Sequence, residues 1–201
     1  MKDYSIEKLV LGPFETNCYI LSIDNKIFII DPGSEAQTII STLEKNAFIP
    51  FYILLTHAHI DHISAVMELA HKYNIEVYLN ENDELLYKSP ANSLEPFFPR
   101  LTKRATTNSC FIFDPPITAI HTPGHTQGGT SFYVKKAKIL ISGDTIFNES
   151  IGRTDLPGGN HKQLLTSIKD KILTLPPDTV IYPGHGTETS VDHELKFNPY
   201  F

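Results

Sequence analysis

The segment Thr56-His57-Ala58-His59-Ile60-Asp61-His62 places three imidazoles and one carboxylate in six consecutive positions, directly after the apolar run Phe51-Tyr52-Ile53-Leu54-Leu55. Neither a core nor a surface needs such a density of nitrogen and oxygen donors, which are ligands for divalent metal ions. In an extended chain residues two apart point the same way, so His57 and His59 face one spot. Asp61 and His62 arrive as the chain turns into a helix, and they face a second spot nearby. The pattern suits two ions held side by side. A zinc-protease helix would instead set two histidines four apart on one face, with a glutamate beside the first.

Three further segments share one arrangement: an apolar strand stops, glycine appears, and a metal-type residue stands at the stop. They are Thr122-Pro123-Gly124-His125-Thr126-Gln127-Gly128-Gly129, Ile141-Ser142-Gly143-Asp144-Thr145 and Ile181-Tyr182-Pro183-Gly184-His185-Gly186. Strand ends on a rigid sheet are where groups from distant parts of a chain are gathered for catalysis. Each segment alone reads as a turn, and Asp61 alone reads as the N-cap of the helix behind it. The set carries the argument. Five of the nine histidines fall in these loops, and with two aspartates they supply enough donors for two metals.

The elements that must position these loops follow from periodicity. Strands are predicted over 6–11, 18–23 and 26–30, with Asp24-Asn25 as the hairpin turn between the last two. Asp31-Pro32-Gly33 ends the third strand, and Ser34 is expected to cap a helix over 35–46 with Ile39, Ile40 and Leu43 apolar. A strand over 51–55 feeds the histidine-rich loop, and a helix over 62–73 carries Ile63, Val66, Met67 and Ala70 on one side. A strand over 75–79 and a short helix over 81–88 come next. Residues 89–110, with three prolines, read as a surface excursion of the kind that forms a substrate lid or stays poorly ordered. The second half repeats the logic with strands over 117–121, 129–134 and 138–142, a helix over 161–173 and a strand over 179–182. Paired strands alternating with single helices, twice over, imply an α/β fold of two sheets packed face to face with helices outside.

The 201 residues fit one domain, 1–201, with room for a substantial core. A formal charge of −6 leaves no basic footprint for nucleic acid. The start Met1-Lys2-Asp3-Tyr4-Ser5-Ile6-Glu7-Lys8 has no apolar secretory core, and no apolar run approaches the length of a membrane span. Cys18 and Cys110 are too few for a disulfide framework and read as reduced, buried small hydrophobes. A cytoplasmic protein, monomeric or homodimeric, with no nucleic-acid or membrane partner is the expectation.

With these four loops the chain resembles the metallo-β-lactamase superfamily, and within it the compact glyoxalase II-like hydrolases. The resemblance runs from Gly12-Pro13-Phe14-Glu15-Thr16-Asn17-Cys18-Tyr19 and Asp31-Pro32-Gly33 to Asn198-Pro199. It implies an αββα sandwich with mixed sheets and the site along the edge where they meet. It also implies that His57, His59 and His125 hold one metal, that Asp61, His62 and His185 hold the other, and that Asp144 bridges the two. Asp61 and Asp144 thereby become catalytic groups. Zinc is the expected ion, and iron and manganese accept the same ligands.

Two such ions share a bridging hydroxide whose parent water titrates near neutrality, and they polarise a carbonyl. Four positive charges meet two aspartates and one hydroxide, which leaves net positive charge to steady an oxyanion. There is no Gly-x-Ser-x-Gly nucleophile elbow. Hydrolysis of a small-molecule thioester of the hydroxyacylglutathione type fits, because a soft metal stabilises the departing thiolate. The run Gly152-Arg153-Thr154-Asp155-Leu156-Pro157-Gly158-Gly159 lies just after Asp144, and Arg153 reads either as a substrate contact or as half of an ion pair that fixes the loop. Larger glyoxalase II enzymes carry a C-terminal helical domain that binds glutathione. No such domain fits between His185 and Phe201, which puts a glutathione preference in doubt.

The rival reading is a persulfide dioxygenase with one iron on His57, His125 and Asp144. Pro183-Gly184-His185-Gly186 differs from the alanine and aspartate that flank the histidine in that group. RNA cleavage is disfavoured by the acidic charge, and a diiron electron-transfer role by histidine rather than glutamate at position 59.

Overall fold

The computed structural model describes residues 4–98, 100–113 and 117–201. Parts of two expectations, the charged start at residues 1–3 and the excursion at Pro99, lie outside these. The chain divides into two compact units, Met1–Cys110 and Phe111–Phe201.

The first unit is built on six strands in sequence order: β1 (Tyr4–Leu11), β2 (Thr16–Ile23), β3 (Lys26–Ile30), β4 (Pro50–Leu54), β5 (Glu76–Tyr78) and β6 (Thr107–Asn108). The first three pair antiparallel and the rest parallel, so the sheet is mixed. Central strands that are apolar at every position are buried on both faces. Cys18, Ile20, Ile27, Ile29, Ile53 and Val77 alternate onto one face, where α1 (Ala36–Lys45) supplies Ile39, Ile40 and Leu43. Behind the histidine loop come α2 (Ile60–Ile63) and α3 (Val66–Tyr73), which add Ile60, Ile63, Val66 and Leu69 to the same core.

Several expectations need correcting here. The helix predicted over 62–73 starts at Ile60 and breaks at Ser64–Ala65. Ser64 Oγ donates to Ile60 O at 2.6 Å, and Ala65 N donates to Pro32 O at 3.0 Å, so the regular ladder is interrupted. Leu69, not Met67, faces the core; Met67 is exposed. Ser34 does not cap α1. Glu35 takes that place in a left-handed conformation, and its carboxylate accepts from Gly12 N at 2.8 Å. A 3₁₀ turn at Glu81–Asp83 precedes α4 (Glu84–Lys88). The excursion after it is anchored: Phe98 is buried in the core, Arg104 Nε donates to Tyr87 O at 2.7 Å, and β6 adds to the sheet edge.

The second unit holds a five-stranded mixed sheet in the order β13-β12-β9-β8-β7. Its strands are β7 (Thr118–His121), β8 (Thr130–Val134), β9 (Ile139–Gly143), β12 (Val180–Pro183) and β13 (Thr189–Ser190). A hairpin of β10 (Ile146–Phe147) and β11 (Ser150–Ile151), too short to show periodicity, follows the Asp144 loop. On one face α5 (His161–Ser167) and α6 (Val191–Phe197) pack Leu164 and Val191 against Tyr133, Leu140 and Ile181. The helix predicted over 161–173 is regular only to Ser167. Beyond it the turns widen, with Leu173 N donating to Ile168 O five residues back. Among the described residues no helix is long and apolar enough to cross a membrane.

Candidate metal centre

In the first unit, β4 delivers the chain into Thr56–His59, and His59 keeps an extended backbone (φ −62°, ψ 146°) before α2 begins. The rings of His57 and His59 lie 4.8 Å apart between centroids, and those of His57 and His62 lie 4.2 Å apart. Asp61, read as an N-cap when taken alone, sits in the first turn of α2 after His59. Its Oδ2 accepts from Thr16 Oγ1 at 3.3 Å and lies 3.6 Å from His62 Nε2. All four predicted donors of this loop therefore converge.

Asp31, fully buried at the end of β3, organises them. Its Oδ1 accepts from Thr56 N at 2.8 Å, and its Oδ2 accepts from Thr56 Oγ1 at 2.5 Å and from His62 Nδ1 at 3.0 Å. A carboxylate only accepts, so the Thr56 hydroxyl gives its proton to Asp31 and its oxygen accepts in turn from His57 Nδ1 at 3.0 Å. Asp31, His57 and His62 bring ligand atoms within 4.8 Å of one another. Three hydrogen bonds on the two oxygens of Asp31 make it the group that orients Thr56 and His62. Gly33 is where the chain passes closest to the helix: a Cβ there would stand 1.7 Å from Asp61 O.

In the second unit β9 and β12 run parallel as neighbours, so their ends deliver Asp144 and His185 side by side, with Gly184 N donating to Gly143 O at 2.9 Å. The loop after β7 brings His125 to the same place. A buried hydroxyl chain, Ser131 to Thr122 at 3.0 Å and Thr122 to Thr145 at 3.1 Å, ties that loop to the residue after Asp144. His125 Nδ1 donates to Arg153 O at 2.8 Å. Gly152 permits this approach, since a Cβ there would lie 1.9 Å from Asp144 O.

The Arg153 side chain is exposed and binds Asp155 through two N–H groups, each at 2.7 Å. These hydrogen bonds hold the Asp155 carboxyl down to about 2. Outside these loops, His121 ends β7 and its Nε2 lies 2.8 Å from Gln127 O, while His193 in α6 pairs with Glu149.

These contacts test whether the residues suit metal ions. His57, His62 and His125 each turn Nδ1–H towards an oxygen, which leaves Nε2 as the lone-pair atom; metal-ligating histidines are oriented in this way. The Nε2 atoms of His125 and His185 each lie 3.6 Å from Asp144 Oδ2. That is too long for a hydrogen bond, yet close to the separation of about 3.4 Å between two donors on one tetrahedral ion with bonds of about 2.0–2.1 Å. The donor set fits.

Residues 11–185 match the sequence profile of the Metallo-beta-lactamase superfamily. The chain belongs to this superfamily. Its fold, with two mixed sheets, is the superfamily's, and its His/Asp clusters mark a hydrolase-like enzyme that depends on divalent metal. The chain is 38% identical to a probable metallo-hydrolase, YqgX, of Bacillus subtilis (96% of this chain, 95% of that one). It is 32% identical to the hydroxyacylglutathione hydrolase GloC of Haemophilus influenzae (98% and 97%). Among solved structures, TTHA1623 in a di-iron-bound form superposes with a TM-score of 0.88 at 34% identity (97% and 100%). The BLEG-1 B3 metallo-beta-lactamase superposes with a TM-score of 0.85 at 37% identity (98% and 99%).

Asp31, Thr56 and the Arg153 carbonyl orient the donors without belonging to the predicted ligand set. Asp31 alone left a sign, a carboxylate closing an otherwise apolar strand.

Proposed function

We propose that the two donor sets serve one binuclear centre in a thioester hydrolase of the hydroxyacylglutathione hydrolase type. In this reading His57, His59 and His125 hold one divalent ion, Asp61, His62 and His185 hold the other, and Asp144 is shared. The donors take zinc, and also iron or manganese. The observation that carries the reading is the matched orientation of His57, His62 and His125, each with Nδ1–H on an oxygen.

When bound, two such ions acidify a shared water and polarise the scissile carbonyl. The protein's own part is to hold its donors in the ligating state. Asp31 keeps His62 in the Nδ1–H tautomer directly, and His57 through Thr56. The Arg153 carbonyl does the same for His125. The exposed Arg153 guanidinium stands at the surface of the same loop and is assigned to the substrate's anionic end. Similarity to GloC over nearly its full length supports a thioester as substrate, while similarity to BLEG-1 favours a β-lactam as the second reading.

Metal analysis of freshly purified protein, run beside a panel of thioesters, β-lactams and glutathione persulfide with oxygen uptake monitored, tests this. Two metals per chain with rapid S-lactoylglutathione turnover is the expected result. One iron, with oxygen consumed and thioesters untouched, would overturn it in favour of the dioxygenase, and turnover confined to β-lactams would overturn it in favour of the second reading.

A further inference from the structure

The two peptide units that join His57 to His59 through Ala58 are each gripped by a side chain. Ala58 is fully buried; its N–H donates to Asp83 Oδ2 at 3.0 Å, and its carbonyl accepts from Asn92 Nδ2 at 2.6 Å. Asp83 is 1% exposed and Asn92 7%. The Asn92 amide also donates to Leu86 O at 3.2 Å, so that amide nitrogen serves two carbonyls. Both jaws come from one short stretch. Asp83 ends the 3₁₀ turn before α4, and Asn92 N donates to Ser89 O in the turn just beyond it.

His57 and His59 point the same way only while both peptide units flanking Ala58 keep their planes, since rotating either swings the Cα–Cβ bonds apart. A neighbouring strand would hold such a peptide through a ladder. Here two side chains 25 and 34 residues away do so instead. We propose that Asp83 and Asn92 are positioning residues, a clamp on the two peptide units flanking Ala58 that sets the two histidines for metal binding. The inference rests on the metal-centre reading above.

Three variants of the full chain test it. Asn92→Asp keeps the shape but turns a donor into an acceptor facing the Ala58 and Leu86 carbonyls. Asn92→Ala removes the donor, and Asp83→Asn keeps an acceptor for Ala58 N–H. Zinc affinity is measured by competition with a chelator, the absorption spectrum of the cobalt-substituted protein reports ligand geometry, and urea unfolding of the metal-free protein is followed alongside. Loss of an outer partner of a metal ligand weakens binding about 10–100-fold. The expected order is Asp83→Asn within a few-fold of wild type, Asn92→Ala about tenfold weaker and Asn92→Asp about 100-fold weaker, the last two with altered cobalt spectra.

Should Asn92→Asp fail to fold, Asn92→Ala and Asp83→Ala carry the test at the tenfold level. Variants that unfold more easily yet keep wild-type zinc affinity and cobalt spectrum would show a purely structural contact and overturn the clamp while leaving the metal centre standing. A wild-type chain that takes up neither ion overturns the metal-centre reading, and the clamp with it.

Discussion

Replacing Asp31 with asparagine exchanges one oxygen for an amide nitrogen and leaves the volume unchanged. Three donors converge on the native carboxylate: Thr56 N on Oδ1, and Thr56 Oγ1 and His62 Nδ1 on Oδ2. If the amide keeps its oxygen on Thr56 N, its NH2 faces His62. The ring must then accept at Nδ1 and carry its proton on Nε2, the atom meant for the metal. If the amide flips, its NH2 opposes Thr56 N–H, and two buried donors meet. In the first case the Thr56 hydroxyl also loses its acceptor at Oδ2, so either choice leaves one buried donor without an acceptor, which costs about 1–3 kcal/mol.

Domains are typically stable by about 5–15 kcal/mol, so Asp31→Asn should fold. Zinc affinity should fall about 10–100-fold, the usual effect of losing such an outer partner. Chelator competition gives the affinity, urea unfolding of the metal-free protein gives the stability, and ¹⁵N NMR of the imidazoles reports the tautomer. A variant that binds zinc as tightly as wild type, with His62 still protonated on Nδ1, would refute the account of Asp31.

Other outcomes follow from the same contacts. Gly33→Ala drives a Cβ to within 1.7 Å of Asp61 O, so backbone must shift; urea unfolding should show a loss of about 3 kcal/mol, with zinc affinity reduced. Arg153→Ala keeps the carbonyl that orients His125, so metal content should match wild type while KM for the thioester rises several-fold; an unchanged KM would reduce Arg153 to loop support. The folded pKa of Asp155 lies below its ordinary 3.8, so whatever the Arg153–Asp155 pair contributes to stability is complete above about pH 4 and is lost as the pH falls through about 2. A carboxyl ¹³C titration of Asp155 centred near 4 would contradict the pairing. Burial, and secondarily the charge of Asp31, push the Cys18 thiol well up, whereas Cys110 is exposed. Native protein should therefore take up one equivalent of iodoacetamide at pH 8 and two after denaturation.

Most of the fold was legible because the strands that matter contain unbroken apolar runs. Phe28-Ile29-Ile30, Ile53-Leu54 and Ile139-Leu140-Ile141 announce buried central strands, and the Asp24-Asn25 turn forms as its residues demand. The loops at strand ends were legible from donor density. What could not be read were features set by distant neighbours. The break after α2 comes from the Pro32 carbonyl, and Glu35 displaces Ser34 as the cap because Gly12 reaches its carboxylate. Cys110 was expected to be buried and is exposed, since it lies in an irregular segment after β6 and not in a strand. Asn92 looked like loop filler because nothing near it in sequence shows that Ala58 needs a donor.

Protein hydrogen bonds orient donors in both sets: Asp31, Thr56 and Thr16 act on His57, Asp61 and His62, and the Arg153 carbonyl acts on His125, whose loop the threonine–serine chain ties down. Each unit also has its own cluster of buried apolar residues. Chelation should therefore yield a folded apoprotein that recharges without refolding, in contrast to zinc fingers, whose chain collapses once stripped.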